Sequence, residues 1–310
     1  MKVYISIPSW KNKKLITELK KRADIVIAKK RPNQSEFEKI SQNYDGLIIG
    51  RLHDVNQKVL ENMNLKFIGL LSKGFDNIDK AECKKRKIPV FYTPKANISS
   101  VAEHVLALIL SLSRNIINLD KSVREKRFDE LRLKTIDIKN KTLGIVGAGP
   151  IAKEIIKRAK AFEMNIICYT PNQDKHKDLK VEFVSLKNLL KKSDFVSVNI
   201  PLKKETINFI DLKELSLMKS TSYLINTSRG GIVNENSLVK ILKDKKIAGA
   251  GVDVFEEEPT KNKNLFKLNN VILTPHVAGV SVEALDRMEE HLIRDIISFL
   301  DKKKTKYKLV

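Results

Sequence analysis

The chain has 310 residues, too many for one ordinary hydrophobic core and enough for two domains. Its 42% apolar content excludes wholesale disorder, and no apolar run reaches the roughly 18–20 residues of a membrane-spanning helix. Lys and Arg total 59 against 37 Asp and Glu, a formal charge of +22 that attracts anions, from acidic small molecules to nucleic acid.

The lysines are spread along the whole chain and accompany no nucleic-acid recognition motif. They read as a solvated surface, with no nucleic-acid and no membrane partner expected. Cys83 and Cys168 offer neither a disulfide framework nor a metal-binding spacing, so no metal is expected. The opening MKVYISIPSW lacks the apolar stretch of a signal peptide, and the expected compartment is cytoplasmic.

In chain order, the first third alternates short apolar runs with polar stretches of helical length. The runs are KVYISI, ADIVIA, DGLIIG, LKFIGLL and IPVFYT. This alternation predicts a parallel sheet with helices on both faces. From Asn97, NISSVAEHVLALILSLSRNI reads as a long apolar helix, a buried spine between two domains, with Ser99 or Ser100 as its cap and Glu103 in its first turn. The charged stretch from Asp120 to Lys141 reads as a linker or a dimer arm. A second alternating series follows: TLGIVG, NIICYT, VEFV, DFVSVNI, SYLINTS, GAGVDVF and NVILTPH. SVEALDRMEEHLIRDIISFL has helical period, and the basic tail DKKKTKYKLV reads as mobile. The prediction is an α/β chain with two doubly wound parallel-sheet domains.

Within TLGIVGAGPIA, Gly147, Gly149 and Ala152 fit G-x-G-x-x-G/A. The first glycine permits a tight turn, the second lets backbone approach a pyrophosphate, and the third small residue lets helix pack on strand. The helix then presents its N-terminus to the anion. Alone the pattern is weak; between a strand and a helix, at the head of a β-rich series, it predicts a dinucleotide site. Pro150 suits the first helical position but has no N–H to donate. Thr170 closes the second strand where an acid would grip the adenosine ribose. It cannot repel a 2′-phosphate, and Lys175, His176 and Lys177 follow it.

Downstream lie NTSRGGIVNE, GVDVFEEEP and LTPH, which bring Arg229, Glu258 and His276 next to strand-like runs. Singly, each has an ordinary structural explanation: a capping arginine, a solvated acid, a satisfied histidine. Jointly they suggest a cation that holds a carboxylate and an acid-supported imidazole that moves a proton. A planar guanidinium holds a carboxylate better than a lysine does. A carboxylate beside an imidazole favours its charged form and fixes the ring. Of the other histidines, His53 and His291 read as surface residues, His176 as a cofactor-phosphate neighbour, and His104 as a buried structural partner.

Taken together, KGFDNID, NISSVAEHVLALIL, KTLGIVGAGPIA, NIPLKKET, LINTSRGGIVNENSL, AGAGVDVFEEEP and VILTPHVAG resemble the D-isomer-specific 2-hydroxyacid dehydrogenases. The resemblance covers most of the chain. It implies a flavodoxin-like substrate domain (residues 1–94 and 280–310), a Rossmann cofactor domain (residues 95–279) and an active site in the cleft between them. It also implies Arg229 as the substrate arginine, Glu258 as the histidine's partner, His276 as the acid/base and Asp253 as the holder of the nicotinamide carboxamide. Ser72, Lys73 and Gly74 fall where the family meets the substrate carboxylate. Ile151, Pro201, Thr206, Thr227 and Gly279 join Gly147, Gly149, Pro150 and Thr170 as the implied cofactor contacts. In some members an arginine at the place of Arg51 reaches a distal substrate phosphate.

Four departures matter. Pro150 stands where an arginine or histidine is common in the family. Ser72 stands where Gly is common, as in some glyoxylate/hydroxypyruvate reductases. Thr170 replaces the usual Asp, which leans the cofactor choice from NAD toward NADP. Phe128 stands where a tryptophan is common. The Glu258–His276 pairing argues against the formate dehydrogenase branch, whose histidine partner is typically glutamine. The function implied is an oxidoreductase of a small D-2-hydroxy or 2-keto acid, glyoxylate, hydroxypyruvate or phosphohydroxypyruvate, acting as a homodimer. The alternative is an NAD(H)-sensing, corepressor-like binding protein of the same fold.

Overall fold

The computed structural model describes residues 1–61, 63–128 and 135–310, and the backbone divides into two compact units. The first comprises Met1–Asn97 with Ser281–Val310, and the second Ile98–Val280.

In the first unit, the five apolar runs become β1 (Lys2–Ile5), β2 (Asp24–Ile27), β3 (Gly46–Ile49), β4 (Phe67–Leu70) and β5 (Val90–Phe91). They pair in parallel in the order β2-β1-β3-β4-β5, the flavodoxin-like winding. β3 and β4 are wholly buried, which is why they read as unbroken apolar runs rather than alternating ones. Asn33 caps α2 (Gln34–Ser41) in a reciprocal capping box with Glu36. α1 (Lys13–Lys20) and the C-terminal α11 (Val282–Leu300) pack on one face, where Leu292, Ile293 and Ile296 join Val3, Ile5 and Phe67 in one core. α3 (Gln57–Glu61) and α4 (Lys80–Lys85) complete the unit.

The second unit carries β6 (Thr142–Val146), β7 (Asn165–Tyr169), β8 (Glu182–Phe183), β9 (Phe195–Val198), β10 (Tyr223–Asn226), β11 (Gly249–Val252) and β12 (Val271–Leu273). All are parallel, in the order β12-β11-β10-β9-β6-β7-β8. Counted from β6 this is the Rossmann order with one more strand, and the winding reverses between β6 and β9. α5 (Ile98–Ser113), α6 (Ile116–Arg124) and α7 (Pro150–Ala161) follow one another along the chain before α8 (Leu186–Lys192), α9 (Leu212–Leu215) and α10 (Glu235–Lys243). α5 buries Val105, Leu108, Ile109 and Leu112 with Ile155 and Ala159 of α7.

Four expectations need correction. α5 begins at Ile98, so Ser99 and Ser100 lie inside it rather than capping it, and Glu103 is past the first turn. Ser99 and Glu103 instead receive Arg158 of α7, at 2.6 and 3.0 Å. The tail is not a loose end. Lys306 and Tyr307 donate backbone N–H groups to the Asp295 carboxylate, and Leu309 donates to Val90, adding an antiparallel segment along β5. Leu309 and Val310 pack into the core, so apolar burial overrides the basic composition. His53 is buried and stacks on Phe37 with centroids 4.5 Å apart. His291 is half-buried against Tyr307. The stretch read as linker or arm is α6 at its start, and residues 129–134 within it lie outside the described residues.

Candidate active site

The winding of the second sheet reverses at the end of β6, and Gly147 sits there with φ of +101°. A Cβ on it would stand 2.7 Å from the Asn199 carbonyl, beyond β9, so residue 147 has to be glycine on both counts. Its N–H donates to Tyr169 at the end of β7, closing the turn. Gly149 is the N-cap of α7, Pro150 is its first helical residue, and among the described residues no atom lies within 4 Å of the place of a Cβ on Gly149. A glycine cradle opening into space before a helix N-terminus is what a dinucleotide pyrophosphate requires. Ala152 is fully buried, and Ile151 is half-buried beside it.

Thr170 lies just past β7 and is 7% exposed, with no carboxylate in its place. The 3-10 turn Gln173–Leu179 that follows carries Lys175, His176 and Lys177. Lys177 pairs with Asp174 at 2.9 Å, and Lys153 of α7 holds Asp178, so part of the basic segment is neutralised locally. Beyond β9, the Thr206 hydroxyl donates to Pro201 O at 2.8 Å and accepts the Lys203 N–H at 2.7 Å. Pro201 and Thr206 thereby hold one another in a closed loop. Thr227 is buried past β10, and Gly279 is half-buried past β12.

The chemistry gathers at the C-terminal ends of β10, β11 and β12. Nδ1 of His276 lies 2.7 and 2.8 Å from the two Glu258 oxygens. A carboxylate only accepts, so Nδ1 carries the proton in this pairing. The Phe255 N–H also donates to Glu258 at 3.3 Å. His276 has φ of +53°, a left-handed backbone that costs a non-glycine residue on the order of 1–2 kcal/mol.

Asp253 offsets that cost. It follows β11, is fully buried, and accepts the N–H groups of Val277 and Ala278 at 2.9 Å each, together with the Thr274 hydroxyl at 2.6 Å. Three donors around His276 thus converge on one carboxylate. Sequence reading gives Asp253 a cofactor contact and misses this anchoring. His104 of α5 reaches Thr274 at 3.1 Å, half-buried as a structural partner.

Arg229 lies in the turn after β10. A Cβ on the following Gly230 would overlap the Phe255 carbonyl, so this turn is seated against the segment leading to Glu258. Arg229, Glu258 and His276 therefore come from the ends of three adjacent strands.

In the first unit, Arg51 lies two residues past β3, and Ser72, Lys73 and Gly74 follow β4; all four are half-buried. Ser72 O accepts the N–H of Thr93, past β5. The Asn77 side chain donates to His53 O at 2.7 Å and Gly50 O at 3.3 Å, bracketing Arg51. The His53 ring faces Pro32 O at 2.9 Å and Ser6 Oγ at 3.2 Å. Since Pro32 O only accepts, Nε2 carries the proton, and burial holds the imidazole below its ordinary pKa.

Comparison with known proteins places these features in context. Residues 106–278 match the model of the D-isomer specific 2-hydroxyacid dehydrogenase NAD-binding domain. A glyoxylate reductase of Thermococcus litoralis is 43% identical over 265 residues, covering 82% of this chain and 80% of that protein. Among solved structures, an acyclic imino acid reductase in complex with NADPH and D-Arg superposes with a TM-score of 0.90 at 30% identity, over 100% of both chains. A D-lactate dehydrogenase from Aquifex aeolicus, complexed with NAD and lactic acid, gives 0.87 at 30% identity, over 97% of this chain and 96% of its own.

Proposed function

Because the chain belongs to the D-isomer-specific 2-hydroxyacid dehydrogenase family, a nicotinamide-dependent oxidoreductase acting on a CH–OH group, we propose that it reduces a small 2-keto acid of the glyoxylate or hydroxypyruvate type. The observation that carries this reading is the Glu258–His276 pair at the strand ends that also present Arg229. The bound nicotinamide supplies the hydride. Arg229 holds the substrate carboxylate and polarises the ketone, and Nε2 of His276 delivers the proton to its oxygen. Glu258 keeps the imidazole ring oriented and balances its charge. The Ser72–Gly74 loop is the further group assigned to the carboxylate. Arg51 is assigned to whatever polar group the substrate carries at its far end, which makes phosphohydroxypyruvate the alternative substrate.

The pyrophosphate is assigned to the Gly147–Ile151 turn, with Asp253, Pro201, Thr206, Thr227 and Gly279 along the rest of the dinucleotide. NADP(H) is favoured modestly over NAD(H). Thr170 brings no repulsive carboxylate, and Lys175 and His176 stand close by in sequence. The reductase with bound NADPH and the dehydrogenase with bound NAD, each 30% identical, show that this fold takes both. The corepressor-like reading is not favoured, since the relatives above are a reductase and a dehydrogenase by name.

A homodimer is the proposed assembly. On α6, Ile116 and Val123 are 50% and 53% exposed on one face, with Ile117 at 57% beside them and Phe128 at 62% beyond. Apolar groups so placed suit an interface between copies. Two buried free cysteines agree with a reducing, cytoplasmic compartment.

The test is the loss of NADPH or NADH absorbance with glyoxylate, hydroxypyruvate, pyruvate and phosphohydroxypyruvate in turn. Turnover with at least one is expected. Cofactor binding with no turnover on any of the four would overturn the reading and revive the sensor.

A further inference from the structure

We propose that Asn226 is a positioning residue of the reaction, its carboxamide setting the turn from which Arg229 meets the keto acid. The proposal rests on the role given above to Arg229.

Asn226 is the last residue of β10 and is 3% exposed. Its Oδ1 accepts the Ser228 N–H at 3.1 Å and the Ser228 hydroxyl at 2.7 Å, and its Nδ2 donates to Arg229 O at 3.2 Å. The orientation of the carboxamide is not arbitrary. A backbone N–H only donates and a carbonyl only accepts, so one end has to be oxygen and the other nitrogen. One side chain thus ties the amide before Arg229 and the carbonyl after its Cα to the rigid end of a buried strand. The Arg229 guanidinium donates back to Ser228 O at 2.7 Å, which couples it to the same turn. Gly230 presses the far side of the turn against Phe255.

No other side chain meets all three demands. Aspartate keeps the acceptor and loses the donor, glutamine is a methylene too long, and an apolar residue loses both. A guanidinium that clamps a planar carboxylate tolerates little misplacement, so the turn beneath it controls substrate affinity and rate together.

The experiment is a double-mutant cycle on the full-length enzyme, read as kcat/KM for the best keto acid and Kd for the cofactor. Asn226→Ala is expected to raise KM and lower kcat/KM by roughly 10- to 100-fold, the scale of a misplaced reacting group, with cofactor Kd unchanged. In an Arg229→Ala background, the same substitution is expected to add no further loss, because the group it positions is gone. Should the alanine variant fail to fold, Asn226→Asp carries the test. It retains both Ser228 contacts, replaces the tie to Arg229 O by an oxygen–oxygen repulsion and adds a buried charge, so its loss is read, like that of the alanine, against the Arg229→Ala background. A loss of equal size with and without Arg229 would mean that Asn226 supports the fold, and would overturn the proposal. Wild-type kinetics in the Asn226 variants, alongside a damaged Arg229→Ala, overturns this inference alone. An undamaged Arg229→Ala overturns the role of Arg229 and this inference with it.

Discussion

His276 combines an unfavourable backbone with a well-defined side chain. Its φ of +53° is held by the amides of Val277 and Ala278 on Asp253, and its ring is held by Glu258. A residue kept at such expense, with one ring nitrogen fully committed, is suited to proton transfer through the other. His276→Ala is expected to lower turnover by roughly 100-fold or more while cofactor binding survives, as measured by steady-state kinetics and fluorescence titration. Wild-type turnover in that variant would remove His276 from the mechanism. Arg229→Lys keeps the charge and loses the planar fork. KM for the keto acid should rise and kcat should fall together. A kinetically silent lysine would move the carboxylate site elsewhere, with the Ser72–Gly74 loop as the next candidate.

At the level of elements, Asp194 knits three strands at the start of β9. Its carboxylate accepts the Thr142 N–H of β6 at 2.8 Å and the Lys219 ammonium at 2.8 Å, and its carbonyl accepts the N–H of Tyr223 on β10. Burial alone would raise this carboxyl. Lys219 and the Thr142 amide overcome that effect and hold it below the usual carboxylate range. A folded-state pKa below the unfolded one contributes stability above the unfolded value, near 3.9, and that stability is lost as pH falls through the folded one. Asp194→Asn should therefore lower the urea midpoint at pH 7. The gap to wild type should close as pH drops from about 5 to below about 3. A gap constant across that range would assign the cost to lost packing.

The proposed cofactor choice rests on local charge of the same kind, in the segment from β7 into the 3-10 turn. Thr170→Asp places a carboxylate at the proposed ribose position and should shift kcat/KM toward NAD(H). A wild type that already prefers NADH by about tenfold, or 1.4 kcal/mol, would mean that the basic turn makes no useful phosphate contact.

For the whole molecule, the prediction is a homodimer in sedimentation or light scattering at micromolar concentration. Ile117→Glu on α6 should shift it toward monomer, because an interface would have to bury an unpaired carboxylate there. A wild-type monomer at that concentration would show α6 to be an ordinary surface helix.

All twelve strands of the described residues were legible from period and composition: β3, β4, β9 and β11, buried on both faces, are unbroken runs of apolar or small residues, and the edge strands β2, β8 and β12 keep short runs despite partial exposure. Gly147 was legible because only glycine takes its positive φ against the Asn199 carbonyl, and Gly149 by its spacing from Gly147. Arg229, Glu258 and His276 were legible as chemical types in an ordered set of motifs. The tertiary structure alone decided matters that depend on what a residue meets across the fold. His53 carries no signal in its neighbours, yet Phe37, Ser6 and Pro32 surround it. The tail is basic in composition, yet Asp295 and Val90 supply its hydrogen bonds. Asp253 read as a cofactor contact, and Asn226 carried no assignment. The anchoring role of Asp253 exists only because a loop more than twenty residues on brings the Val277 and Ala278 amides within 2.9 Å of it, whereas Asn226 braces the turn of its own strand. Local pattern is written in the order of residues, whereas the satisfaction of buried polar groups is a property of contacts between distant ones.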